Sequence, residues 1–278
     1  MKVRLLTALG ILIVGLPILL FSEYIVYPIV LGLLSAIAVW ELLRVFGLHK
    51  TWAISIPSYI IALVLPALTH SSIIPADRHT DYILSVGLVI FLYLLYLAAV
   101  AVLGRGKIGY NKVSAVFTSF TYVTVSFTSL GILRYMNNGA YLFEIVFIGA
   151  WVSDSMAYFT GRLIGRHKLA PILSPKKTIE GSIGGIVFTV AAFVLYGLII
   201  EWISPLNANL WLLAIMGGVL SAVSQIGDLW ASLIKREHGI KDYSQMLPGH
   251  GGVMDRFDSV LSISTLLMIF CILCSPFA

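Results

Sequence analysis

The sequence predicts an all-α polytopic membrane protein of about nine transmembrane helices, N-terminus cytoplasmic and C-terminus outside. Composition, run length and charge sorting each point there. Of 278 residues, 59% are hydrophobic and 11% charged, against about 25% charged in an ordinary soluble domain. Such a chain cannot cover its surface with polar groups, so lipid must be its solvent. Its apolar runs approach the roughly 20 residues that cross a bilayer core as helix. They lack period-two alternation, which leaves helices as the backbone that satisfies its own hydrogen bonds in lipid. The Lys and Arg residues, eighteen in all, fall almost entirely in alternate loops.

The run 5–21 follows Lys2 and Arg4 and resembles a signal-peptide core. No small-residue cleavage site precedes the next run, so it is read as a span. Runs 24–43 and 52–69 follow, with Arg44 and Lys50 between them. A polar stretch around His70–Thr80 leads to 82–103, and Arg105, Lys107 and Lys112 lead to 113–133. The last four spans are 140–161, 182–203, 209–233 and 257–275. Only Arg78 and Arg134 fall opposite the other basic residues, which sets the orientation by the positive-inside rule. Cys271 and Cys274 read as small apolar residues of the last span, with no disulfide or zinc framework. The chain is expected to be one integral-membrane domain. Its scaffold is 1–139 and its catalytic half 140–278, with polar, Gly- and Pro-containing loops at 162–181 and 234–256. The compact length and the lack of a polar extension point to a bacterial inner (plasma) membrane.

Ionisable residues inside spans are costly and are functional candidates by default. Glu41, Asp154, Asp228, Asp255 and Asp258 all map to cytoplasmic ends of spans, a clustering that structural polar residues would not share. Asp255 and Asp258, three apart, lie on one face of a helix that starts near them. They could simply cap that helix, but no helix start is near Asp228. Carboxylates suit magnesium, which takes one or two of them with phosphates and water. The histidines form no zinc pattern. Lys235, Arg236, Lys241 and Arg256 surround these acids, and Lys176 and Lys177 stand in the other loop. Such charges often serve only as topology determinants that meet anionic lipid. Here Ser174-Pro175-Lys176-Lys177-Thr178 precedes a span, and a helix N-terminus beside lysines is a ready phosphate site. Gly249, Gly251 and Gly252, around His250, would let backbone approach a polyphosphate or let a loop close.

The stretch 232–258 contains Ser232, Lys235-Arg236, Lys241-Asp242, His250-Gly251-Gly252, Asp255-Arg256 and Asp258. It resembles the signature of the phosphatidate cytidylyltransferases, or CDP-diacylglycerol synthases, at every fixed position. Asp154 to Arg162, and Ser174 to Thr178 leading to Glu180-Gly181, are similar to further hallmarks of that family. The first 140 residues match only as hydrophobic spans. The resemblance implies transfer of the cytidylyl group of CTP to phosphatidic acid with release of pyrophosphate, dependent on magnesium and a possible second cation. It implies Asp228 and Asp255 as metal ligands, with Asp258 either a further ligand or a group that orients them, and Lys235, Arg236, Lys241 and Arg256 as phosphate holders. Asp242 and His250 join the catalytic set, with His250 moving a proton or bonding the loop. Ser174, Lys176, Lys177, Thr178, Ser232, Gly251 and Gly252 would bind substrate, and Asp154 would order that region. The partners expected are CTP, phosphatidic acid and the bilayer, not nucleic acid; a homodimer is an open arrangement, and the site faces the cytoplasm.

A CTP-dependent kinase of a long-chain alcohol would move the γ-phosphate, and the full signature favours the cytidylyltransferase over it. A CDP-alcohol phosphotransferase needs a D-G-x2-A-R array that is absent. A secondary transporter places its site at mid-membrane between inverted repeats, whereas these acids crowd one leaflet.

Overall fold

The computed structural model describes residues 13, 15, 17–105 and 107–278, so the expected span at 5–21 lies mostly outside the described residues. The helices are α1 (Val26–Val45), α2 (Trp52–Ala67), α3 (His79–Leu103), α4 (Tyr110–Tyr135), α5 (Gly139–Ile164), α6 (Ile179–Ile203), α7 (Leu210–Glu237) and α8 (Met254–Leu273). Each overlaps an expected span. Among the described residues seven are long and apolar enough to cross a membrane, and α2, with 16 residues, is shorter. The chain is an integral membrane protein, and its described residues are mostly helix with little sheet.

Two stretches differ from expectation. The loop expected at 162–181 contains an antiparallel hairpin of β1 (Lys168–Ala170) and β2 (Ser174–Thr178), with Lys168 opposite Thr178 and Ala170 opposite Ser174. These strands are too short to show a period, and β2 carries Pro175 and two lysines, which strands disfavour. At the second loop, α7 runs on to Glu237, so Lys235 and Arg236 occupy its last turn.

The chain divides into two compact units. One comprises Met1–Asn137 with Ile240–Arg256, the other Asn138–Gly239 with Phe257–Ala278. In the first, Gly32 of α1 packs against α2, where an added Cβ would meet the Leu63 backbone and stand 3.3 Å from Ala67 Cβ. Helix α4 buries Ser119, Thr124, Ser126, Thr128 and Ser129. The Thr128 and Ser129 hydroxyls donate to the Thr124 and Val125 carbonyls at 2.7 and 2.9 Å. Leu84, Leu88 and Leu103 of α3 are instead exposed. Lipid is as apolar as leucine, so no force drives apolar side chains inward, and small or hydroxyl residues make the helix contacts.

In the second unit that rule places the elements. Ser153, Ala157 and Gly161 repeat every four residues on α5, as do Gly181, Gly185 and Thr189 on α6. A Cβ on Gly181 would lie 2.6 Å from the Ala157 carbonyl oxygen, and one on Gly185 3.0 Å from that of Ser153. Gly227 of α7 does the same against α8, where a Cβ would meet Ser262 Cβ at 2.5 Å and the Asp258 carbonyl oxygen at 3.1 Å. That close approach sets the acids described next side by side.

Candidate active site

Three acids from three helices gather in the second unit: Asp154 of α5, Asp228 of α7 and Asp258 of α8. The charges of Asp228, Lys235 and Asp154 all act on Asp258. Asp154 Oδ2 accepts a hydrogen bond from Ser259 Oγ at 2.9 Å, which ties α5 to α8. Below it, Ser153 and Ser221 share a buried hydroxyl contact of 2.8 Å between α5 and α7. Gln225 Nε2 donates to the Ser182 carbonyl at 3.2 Å, tying α7 to α6. Asp154 and Asp228 do not stand at helix ends. The helices continue to Ile164 and Glu237, roughly 15 Å further at 1.5 Å per residue.

The hairpin delivers a cation to this cluster. Lys177 of β2 places Nζ 2.5 Å from Asp228 Oδ2, both side chains about one quarter exposed. Lysine and acid are fifty-one positions apart in sequence, and the fold makes them an ion pair. Thr178 then caps α6, its Oγ1 accepting from the Gly181 N–H at 3.1 Å. Glu180 anchors the start of the hairpin by accepting from the Arg166 N–H at 3.0 Å and the His167 N–H at 3.2 Å. His167 Nδ1 lies 2.6 Å from its other carboxylate oxygen. Glu180 belongs to the family-like segment, but the sequence alone assigns it no role; its place in the first turn of a helix is the available signal. Lys176 and Arg236 are exposed, Ser174 and Ser232 half-buried, and Lys235 is buried on α7.

The signature loop belongs to the first unit, and a residue from α1 organises it. Glu41 is fully buried. It accepts from Ser244 Oγ at 2.6 Å, from the Val253 N–H at 3.0 Å and from the Met254 N–H at 2.8 Å. Hydrogen bonds to a charged group contribute about 1.5–3 kcal/mol each, which offsets part of the cost of burying a carboxylate. Asp255 Oδ2 holds the same loop from the other side, accepting from the Tyr243 N–H at 2.8 Å and the Gly252 N–H at 3.0 Å. The glycines fit these two acids. A Cβ on Gly252 would lie 2.6 Å from Glu41 Cδ, and Gly251 adopts φ +83° with Asp255 Oδ2 at 2.8 Å from a Cβ. Any side chain at either position would meet a carboxylate of the protein itself. His250 closes the turn through its N–H to the Leu247 carbonyl at 2.8 Å. Lys241, Asp242 and Arg256 are exposed. Glu41 was visible in the sequence as an acid in a span, but nothing local linked it to a loop two hundred residues away.

The charges of Asp154, Asp228 and Asp258 reach one another, but among the described residues no three acidic, histidine or cysteine side chains stand close enough to hold a cation together. Asp228 and Asp258, whose charges act on each other, carry hard carboxylate oxygens of the kind magnesium takes. Magnesium usually takes one or two carboxylates and fills its remaining positions with substrate phosphates and water.

Comparison with known proteins agrees with the sequence signature. The profile of the "Cytidylyltransferase family" matches residues 2–274. A Staphylococcus epidermidis protein named phosphatidate cytidylyltransferase is 36% identical over 277 residues, covering 98% of this chain and 99% of the relative. Proteins of the same name from Staphylococcus haemolyticus and Staphylococcus aureus are 34% and 35% identical, each with 98% of this chain and 99% of the relative covered.

Proposed function

Because the chain belongs to the cytidylyltransferase family, we propose that it transfers the cytidylyl group of CTP to phosphatidic acid, giving CDP-diacylglycerol and pyrophosphate. What carries this reading in the geometry is the meeting of Lys177, from the Ser-Pro-Lys-Lys-Thr segment, with Asp228, beside Asp258 and Asp154.

The lipid phosphate is already an anion, so its oxygen needs no strong base to attack the α-phosphorus. The new P–O bond forms as the bond from the α-phosphorus to the bridging oxygen breaks, and that electron pair leaves on pyrophosphate. Positioning and charge neutralisation supply the acceleration. Asp228 and Asp258 would hold magnesium, and the resemblance of the stretch 232–258 to the family signature makes Asp255 a proposed further ligand. Bound there, the ion would neutralise phosphate charge, and a second cation would extend that neutralisation. Lys177 is held ready on Asp228 and moves to a phosphate oxygen when one arrives. Lys176 and the Thr178-capped start of α6 offer further donors to phosphate. Lys235, Arg236, Lys241 and Arg256 supply positive charge for triphosphate and lipid phosphate. Ser259 keeps Asp154 oriented, and His250 holds its turn through the backbone. The expected setting is a bacterial plasma membrane with the site on the cytoplasmic side.

The rival kinase chemistry is separated by following phosphorus. With CTP labelled at the α- or γ-position and phosphatidic acid in mixed micelles, α-label is expected in lipid and γ-label in pyrophosphate. Transfer of γ-label into lipid, leaving CDP in solution, overturns the proposal.

Orientation has its own test. Ile172→Cys on the hairpin and Glu237→Cys at the end of α7 place exposed thiols on the two segments expected to face the cytoplasm. In a background lacking Cys271 and Cys274, both are expected to resist an impermeant thiol reagent until the cells are permeabilised. Labelling of either in intact cells contradicts a cytoplasmic site.

A further inference from the structure

The start of α8 poses a capping problem. The first N–H groups of a helix have no partner within the helix and are ordinarily capped by a Ser, Thr, Asp or Asn just before it. The residues before Met254 are His250, Gly251, Gly252 and Val253, and none carries such a side chain. The Val253 and Met254 amides bond instead to Glu41, 212 and 213 positions away. Three further features converge on this carboxylate. Ser244, at the far end of the loop, donates to it and itself accepts from the Met246 N–H at 3.2 Å. Gly252 is the residue a side chain would force off it. Asp255, close enough for its charge to act on Glu41, ties Tyr243 to Gly252.

We propose that Glu41 is a positioning residue for the reaction, its buried carboxylate fixing the loop 243–254 and thereby the directions in which Lys241, Asp255 and Arg256 present their charges. Glu41 acts through the loop and does not itself touch substrate. The surrounding hydrogen bonds are all donors pointing at oxygen, so the site requires an acceptor on both sides. In Glu41→Gln one oxygen becomes an NH2 that donates, and it must face one of those donors. Shape is kept and the cap is broken. The kinetic consequence rests on the proposed cytidylyl transfer; the structural consequence does not.

The test uses the full chain in detergent micelles with two measurements. Hydrogen exchange of the amides in 243–254 is expected to accelerate at least about tenfold in Glu41→Gln, with α4 and α5 unchanged, since only the local bonds are released. In the same variant the KM for CTP is expected to rise about tenfold, with the KM for phosphatidic acid within about twofold, in the range seen when a group supporting first-contact residues is removed. A smaller folded fraction would lower turnover and leave the KM for CTP unchanged, so the split distinguishes positioning from stability. Unchanged exchange at 243–254 overturns the proposal, and so does faster exchange with a normal KM for CTP. Should Glu41→Gln accelerate exchange in every helix, Glu41→Asp is read in its place. It keeps charge and both acceptors but ends one methylene short, and the same two outcomes decide. If the wild-type protein forms no CDP-diacylglycerol, the function proposed above fails while the exchange measurement still judges the loop.

Discussion

Asp228→Asn is expected to lose at least about a hundredfold in turnover while inserting and folding normally. Asparagine has nearly the same size and can still hydrogen-bond, so packing on α7 is preserved. Neutralising an acid in a membrane helix removes a desolvation cost. What is lost is the anion, and it serves two partners: Lys177, which pairs with it at 2.5 Å, and the proposed magnesium. Asp258→Asn is expected to behave alike, because Asp258 shares the cluster and feels the charges of Asp228, Lys235 and Asp154. Asp154→Asn is the internal control. Its demonstrated partner is Ser259 Oγ, which an amide oxygen also satisfies, so a loss of no more than about tenfold is expected if Asp154 mainly orients its neighbours. The measurement is CDP-diacylglycerol formed by purified protein of normal elution profile at saturating CTP. Near-wild-type turnover of Asp228→Asn at ordinary magnesium concentrations defeats the assignment.

A second large effect is expected from a methyl group. Gly227→Ala would drive a Cβ into Ser262 Cβ and the Asp258 backbone, atoms with no flexible end to yield. Overpacking of this kind costs about 1–3 kcal/mol, and α7 can relieve it only by moving away from α8. That shift would carry Asp228 away from Asp258. A displacement of about 1 Å among reacting groups can cost a hundredfold in rate, and a loss of that order is expected. Gly218→Ala on the same helix is the comparison. Its nearest neighbour would be Val190 Cγ2 at 3.6 Å, ordinary contact, so near-normal turnover is expected. Equal activity in the two variants would mean that the close approach at Gly227 does not set the site.

The helices were legible because a chain that must live in lipid writes its spans as long apolar runs, and α1 to α8 begin and end within a few residues of those runs. The hairpin was not, since strands of three and five residues have no period to read. Asp154, Asp228 and Asp258 stood out as charges where lipid should be. Their assembly did not, because it depends on Gly181, Gly185 and Gly227, and an isolated glycine in an apolar run looks the same whether it faces lipid or another helix.

The sequence by itself determined the solvent, the helical class and, through the stretch 232–258, the family of chemistry. These follow from local composition and spacing, which need no knowledge of what touches what. Only the tertiary structure decided that Lys177 neutralises Asp228 and that Glu41 caps α8. Each of these is a contact between residues far apart in the chain, fixed by how closely small residues let helices and loops approach, and a linear pattern carries no record of that distance.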